Sequence, residues 1–271
     1  MPPVILIQTD TTKTPEPTIT PTPKPEPTAK PTMDFSCQSI AADSFKFEIS
    51  GTLSYNNSAI PNAQIYIRSS ADNGDNWENF ALAQTNKDGT FNTLWLPKTT
   101  GTYLLCAHWN GNDTLRWMNT TLSLAVTSDA NSNTFATTST SKITTLKYDP
   151  TTQTLSFNTN GTQTAIINTY IPKTLVSDAK TLQIKIDRQT AEFTSKAQDN
   201  LWLITCPVNQ GIHSLTLQIP PQEIIDPNTI PWLTILIAII LLIVIVVIVI
   251  TIRRRRKTAA TVAAILKQNR P

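Results

Sequence analysis

Residues that do chemistry are scarce in this chain. Its 271 residues include only two histidines and three cysteines. The HExxH, paired-cysteine, P-loop and G-x-S-x-G patterns are missing, which removes common routes to metal, phosphate and acyl-transfer chemistry. His213 and Ser214 adjoin on an expected strand and therefore point to opposite faces, which argues against a dyad between them. His108 likewise reads as an ordinary strand residue. No catalytic residue, metal site or cofactor is expected, and no enzyme activity is assigned.

Basic charge is scarce too, once its position is considered. The formal net charge is +3, but residues 253–271 hold seven of the 22 bases and no acid. The other 15 bases face 19 acids, a net of −4. Nucleic-acid binding needs bases clustered on a folded face, so nucleic acid is not an expected partner. A secretory leader is not visible either. Met1-Pro-Pro-Val-Ile-Leu-Ile7 has no basic start and only a short apolar run. The expectation is that the chain is incomplete at its start.

What the chain does have is one long apolar run. Leu233–Ile252 is 20 residues without charge, with hydroxyls only at Thr234 and Thr251. As a helix it would span about 30 Å, the hydrocarbon thickness of a bilayer. Trp232 precedes it, where an interfacial aromatic belongs, and Arg253, Arg254, Arg255, Arg256 and Lys257 follow it at once. This pattern predicts a single-pass protein of the cell membrane. The basic tail (253–271) is cytoplasmic and touches anionic lipid, and everything before the span lies outside.

Before the span the composition changes several times. Residues 1–32 end in a Thr/Pro-rich tract with almost nothing apolar, expected to be a disordered, extended spacer. Residues 33–127 carry short alternating stretches, among them Ser44–Leu53, Ala63–Arg68, Gly89–Leu96 and Thr102–Trp109. Asn, Gly, Asp and Pro punctuate them, and amphipathic helical spacing is absent. The pattern predicts a two-sheet β-sandwich. Residues 128–141 read as a polar linker. Residues 142–220 repeat the strand pattern as a smaller β-sandwich, with 221–232 linking it to the membrane. The expected fold is all-β: two sandwich domains and one C-terminal transmembrane helix.

Ser70-Ala-Asp72-Asn-Gly74-Asp-Asn-Trp77 fits the Asp-box pattern S-x-D-x-G-x-x-W. Asp72 suits bonding the turn amides, Gly74 suits a positive φ, and Trp77 suits packing beneath the hairpin. The box occurs once, not once per propeller blade, so it reads as a structural hairpin. Asp72, Asp75 and Glu78 lack the ligand spacing of a calcium loop. Cys37 and Cys106 fall in one expected domain and are the candidate disulfide; Cys206 reads as a small buried hydrophobe. Asn56, Asn112, Asn119 and Asn160 begin N-x-[ST] sequons and are candidate glycosylation sites. Trp95 and Trp109 share the alternation of core positions. Trp77, Trp117 and Trp202 are expected to pack in cores or under hairpins rather than to stack on sugars.

Ile49-Ser-Gly-Thr-Leu53, Thr85-Asn-Lys-Asp-Gly-Thr-Phe91, Thr93-Leu-Trp-Leu-Pro97 and Gly101-Thr-Tyr-Leu-Leu-Cys-Ala-His-Trp-Asn-Gly-Asn112 come in fixed order around the Asp-box. Together they resemble Ig-like repeat domains of archaeal and bacterial cell-surface proteins. Residues 143–219 resemble, more faintly, the small β domain before the anchor of archaeal surface proteins. Here Asp187-Arg-Gln189 stands in place of that family's Asp-Gly turn. The resemblance also bears on the thiols. Leu105, not Cys106, follows Tyr103 at the spacing of an Ig core cysteine, so Cys106 is expected to point away from the core with Leu104 and His108.

The resemblance implies a non-catalytic, membrane-anchored structural or adhesion glycoprotein. Its partners would be the bilayer and surface glycans or surface-layer proteins. The alternatives are a glycan-binding module, or the anchor part of a larger surface enzyme whose catalytic domain lies upstream of Met1.

Overall fold

Alternation of apolar and polar residues becomes burial. In the strand Phe47–Tyr55, Phe47, Ile49 and Leu53 are fully buried, while Glu48 and Ser50 face partly outward. The structure, a computed structural model, describes residues 26–221 and 236–253. It is mostly β, with several sheets and one apolar C-terminal helix.

The strands in chain order are β1 (Thr32–Ser39), β2 (Phe47–Tyr55), β3 (Ser58–Ala59), β4 (Gln64–Ser70), β5 (Glu78–Gln84) and β6 (Thr90–Trp95). Next come β7 (Gly101–Trp109), β8 (Met118–Ser128), β9 (Thr134–Ser139), β10 (Lys142–Asp149), β11 (Thr154–Gly161) and β12 (Ala165–Pro172). After them follow β13 (Gln183–Ile186), β14 (Gln189–Ala191), β15 (Thr194–Gln198), β16 (Leu201–Val208) and β17 (Gly211–Gln218). A 3-10 turn, Ala179–Thr181, is capped by the Asp178 side chain.

Three sheets result. An eight-stranded sheet runs β15-β16-β12-β9-β8-β7-β4-β5. A four-stranded sheet of β1, β2, β3 and β6 lies on one face of it, and a five-stranded sheet, β10-β11-β17-β13-β14, lies on the other. Side-chain parity separates the faces. On β8, Leu122, Leu124 and Val126 join the core under the four-stranded sheet, while Ala125 joins one under the five-stranded sheet. On β12, Tyr170 belongs to the first core, and Ile167 and Ile171 to the others.

The stretch 128–141, expected to be a linker, is the centre of this arrangement. β9 pairs antiparallel with β8 on one side and β12 on the other. All six of its residues are buried. Phe135 enters one core and Ala136 another, while the hydroxyls find partners inside. Thr137 Oγ1 lies 3.3 Å from Thr169 Oγ1, and the Ser139 hydroxyl accepts from the Ser141 amide at 3.0 Å. A strand buried on both faces usually reads as a continuous apolar run. Here small hydroxylated residues take that place, so composition reads as loop where register makes strand.

Smaller departures concern the ends. β1 begins at Thr32, and residues 26–31, assigned to the spacer, include Ala29, which bridges to Leu115 and accepts from the Arg116 amide at 3.0 Å. Residues 1–25 of that spacer lie outside the described residues. Asp187 and Arg188 form a two-residue hairpin turn with φ of 50° and 72°, doing with two L-residues what an Asp-Gly pair does at less cost.

The chain divides after Pro220. In the second unit the helix α1, Leu236–Arg253, is exposed along its whole length and is long and apolar enough to cross a membrane. Its 18 residues rise about 27 Å. Thr251 Oγ1 donates to the Val247 carbonyl at 2.7 Å, which satisfies the hydroxyl within the helix. Arg253 closes α1. Trp232, Arg254, Arg255, Arg256 and Lys257 lie outside the described residues.

Candidate functional site

The Asp-box closes the β4–β5 hairpin. Asp72 Oδ1 accepts from Ser70 Oγ at 2.6 Å and from the Asn76 amide at 2.9 Å, while Oδ2 accepts from Asn76 Nδ2 at 2.6 Å. The Gly74 amide donates to Ser70 Oγ at 2.7 Å, and its φ of 99° is one that side chains resist. These donors, Ser70 first and then Asn76, pull the Asp72 carboxyl down to about 2. The Trp77 ring lies beside Gly74, and the Arg68 guanidinium sits 5.5 Å from the ring centroid. Arg68 also donates to Cys106 Sγ at 3.6 Å, so the turn is tied to the neighbouring strand β7.

A second turn of the same design was not legible. Between β8 and β9, Asp129 Oδ1 accepts from the Asn131 and Asn133 amides at 2.9 Å each, and Oδ2 from Asn133 Nδ2 at 2.7 Å. The Asp-to-Asn spacing equals that of Asp72 and Asn76. That spacing was the available signal, but neither Gly nor Trp marks it. Asp88 and Asp149 brace other turns through Thr90 and through Thr151 and Thr152, and their carboxyls are lowered by those bonds.

The candidate Cys37–Cys106 bridge is not formed: all three cysteines are free and buried. Cys37 on β1 faces the core under the four-stranded sheet, which also takes Leu105 and Ala107 of β7. Cys106 has the opposite parity and points to the other face of β7, so the two thiols lie on different sides of the central sheet. Burial raises all three thiols above their ordinary range; at Cys106 the Arg68 guanidinium opposes part of that rise. Protonated thiols of this kind are inert.

The histidines have carboxylate or amide partners. His213 Nδ1 lies 2.7 Å from Asp187 Oδ2, and the Ser214 amide donates to Asp187 Oδ1 at 2.9 Å. The Asp187 bond, followed by the Gln210 carbonyl, raises the His213 pKa. His108 Nε2 lies 2.8 Å from Asn110 Oδ1. Among the described residues, no three of His, Cys, Asp and Glu converge as metal ligands would.

Most tryptophans pack. Trp95 meets Phe47, Phe80 and Tyr103, Trp109 is buried, and Trp202 Nε1 donates to the Val176 carbonyl at 2.9 Å. Trp117 differs from the expectation of packing: it is 51% exposed. Its ring centroid is 6.3 Å from that of His108, which is 6.4 Å from that of Tyr66. The Arg116 guanidinium approaches Trp117 at 5.6 Å. The sequon asparagines Asn56, Asn112, Asn119 and Asn160 are all exposed. Asn56 lies in the β2–β3 turn, and Asn160 is paired with Lys142 near the end of β11. Asn112 Oδ1 is held by the Thr114 and Leu115 amides at 2.9 and 2.8 Å. Asn119 stands opposite His108 on β8.

The carboxylates named above are committed to turns, and the thiols are buried. Trp117 is exposed at the end of an aromatic row whose other members, His108 and Tyr66, are half-buried. No protein-family profile and no curated protein matches this chain.

Proposed function

We propose that this chain is a membrane-anchored cell-surface structural or adhesion protein that displays its β-rich region outside on a single C-terminal helix. The observation that carries the reading is α1: an exposed helix of bilayer length whose residues 236–252 carry no charge and whose last described residue is Arg253. Arg254 to Lys257 follow directly in sequence and set the orientation, with the tail in the cytoplasm.

The Ig-like character of residues 33–127 belongs to the same proposal. Tyr103 Oη donates to the Thr99 carbonyl at 2.8 Å, four residues upstream. Immunoglobulin-type sandwiches use a tyrosine in this way at the entry of a late strand. A central sheet whose middle strands are covered on both faces suits a rigid spacer, since separating its layers exposes two cores at once.

A second reading, a glycan-binding module, is favoured by the exposure of Trp117 beside His108. A glycan array probed with the released 26–220 region separates the two. The structural reading gives a blank array. Binding abolished by Trp117→Ala, with the fold intact, would replace it with the lectin reading.

A further inference from the structure

We propose that Asn119 carries an N-linked glycan whose first sugar stacks on Trp117, so that the saccharide completes the folded surface. The inference rests on the outside placement of residues before α1.

Register sets the geometry. Tyr66 pairs with His108 across β4 and β7, and His108 pairs with Asn119 across β7 and β8, so the three stand in one lateral row. Trp109 and its partner Met118 occupy the opposite, core-facing side. Trp117 and Asn119 flank Met118, and the closeness of the Trp117 ring to His108 places it on the outer face with Asn119. Thr121, which completes the sequon, is two residues further along and is also exposed. A transferase therefore reaches both recognition residues without disturbing the core.

Trp117 supplies a reason for the sugar to lie down. Trp117 is half exposed although it directly precedes β8 and its ring lies against His108. A pyranose has an apolar C–H face and a polar rim. Laid on the indole it removes apolar area from water while its hydroxyls stay solvated. The bordering groups, His108, Arg116 and Asn110, are polar and suit that rim.

The modification uses a lipid-phosphate-linked oligosaccharide as donor. Asn119 Nδ2 forms a bond to the sugar anomeric carbon, and the bond from that carbon to the phosphate oxygen breaks. The lipid phosphate leaves, and the amide proton goes to it or to the transferase base.

The test uses the full chain purified from its own membranes. Glycopeptide mass spectrometry is expected to find Asn119 occupied. Asn119→Gln is expected to lower the thermal midpoint by about 2–4 °C, and to do so by less than half as much in a Trp117→Ala background. Sugar-ring proton resonances shifted upfield by the indole, and restored by Trp117→Ala, give a readout independent of stability. Asn112→Gln is expected to leave that shift in place. An unoccupied Asn119 beside occupied Asn56, Asn112 or Asn160 overturns this inference alone. So does an occupied Asn119 with unshifted ring protons and the same midpoint loss in both backgrounds. Four unmodified sequons in a chain whose ectodomain is sealed from added protease would instead overturn the outside placement.

Discussion

Phe135 and Ala136 are consecutive residues that lie in separate hydrophobic cores. Phe135 stacks on Tyr148 with ring centroids 4.4 Å apart, beneath the five-stranded sheet. Ala136 faces the other way, into the core shared with the four-stranded sheet. β9 thereby joins the two halves of the β-rich region through its own backbone ladder and both of its faces.

The consequence is cooperative unfolding. Phe135 is fully buried, so Phe135→Ala should cost about 3–5 kcal/mol. Because β9 also pairs with β8, the loss should appear as one earlier transition for residues 26–220. Urea unfolding followed by tryptophan fluorescence and by circular dichroism checks this. Two separated transitions, with only the second half weakened, would contradict a shared central sheet.

The Asp72 turn should be acid-resistant. Its folded carboxyl titrates near pH 2, below the ordinary carboxylate range. The stabilisation it gives is therefore complete above the unfolded value, near pH 4, and is lost as pH falls through about 2. Hydrogen exchange of the Asn76 amide should stay protected at pH 3, after correction for intrinsic rates. Asp72→Ala should remove that protection at pH 7 and leave the β7 amides unchanged.

Arg188 should be an improvable position. It is exposed and sits at φ 72°, where an L-residue is disfavoured by about 1–2 kcal/mol. Arg188→Gly removes that strain but gives back some unfolded-state entropy. A net gain of about 0.5–1 kcal/mol in chemical denaturation is the expected result.

The thiols should be silent until the fold opens. Cys37, Cys106 and Cys206 are buried and free. Thiol titration of the native protein should show no fast reaction, and denaturant should release three reactive groups. An intact mass two hydrogen atoms lower than the reduced chain, with peptide mapping that links Cys37 to Cys106, would contradict the opposite facing of these two thiols.

Alternation made much of the β structure legible. Phe47, Ile49, Ile65 and Ile67 announce their strands because one face is buried and the other is not. The Asp-box was legible because each of its residues has a local task. β9 was hidden because Thr and Ser replace the apolar run of a doubly covered strand. The Asp129 turn was hidden because nothing but a spacing distinguishes it from a polar linker. The exposure of Trp117 is hidden from the sequence because parity does not say how far a neighbouring sheet extends, and the outer face of the central sheet is left uncovered there.

The central claim concerns sides of a membrane, and lysine labelling tests it most directly. Intact cells are treated with a membrane-impermeant amine reagent, and the modified lysines are mapped by mass spectrometry. Lys87 and Lys98, both exposed, should be labelled, while Lys257 and Lys267 should react only after permeabilisation. Labelling of Lys257 and Lys267 in intact cells, with Lys87 and Lys98 protected, would contradict the account.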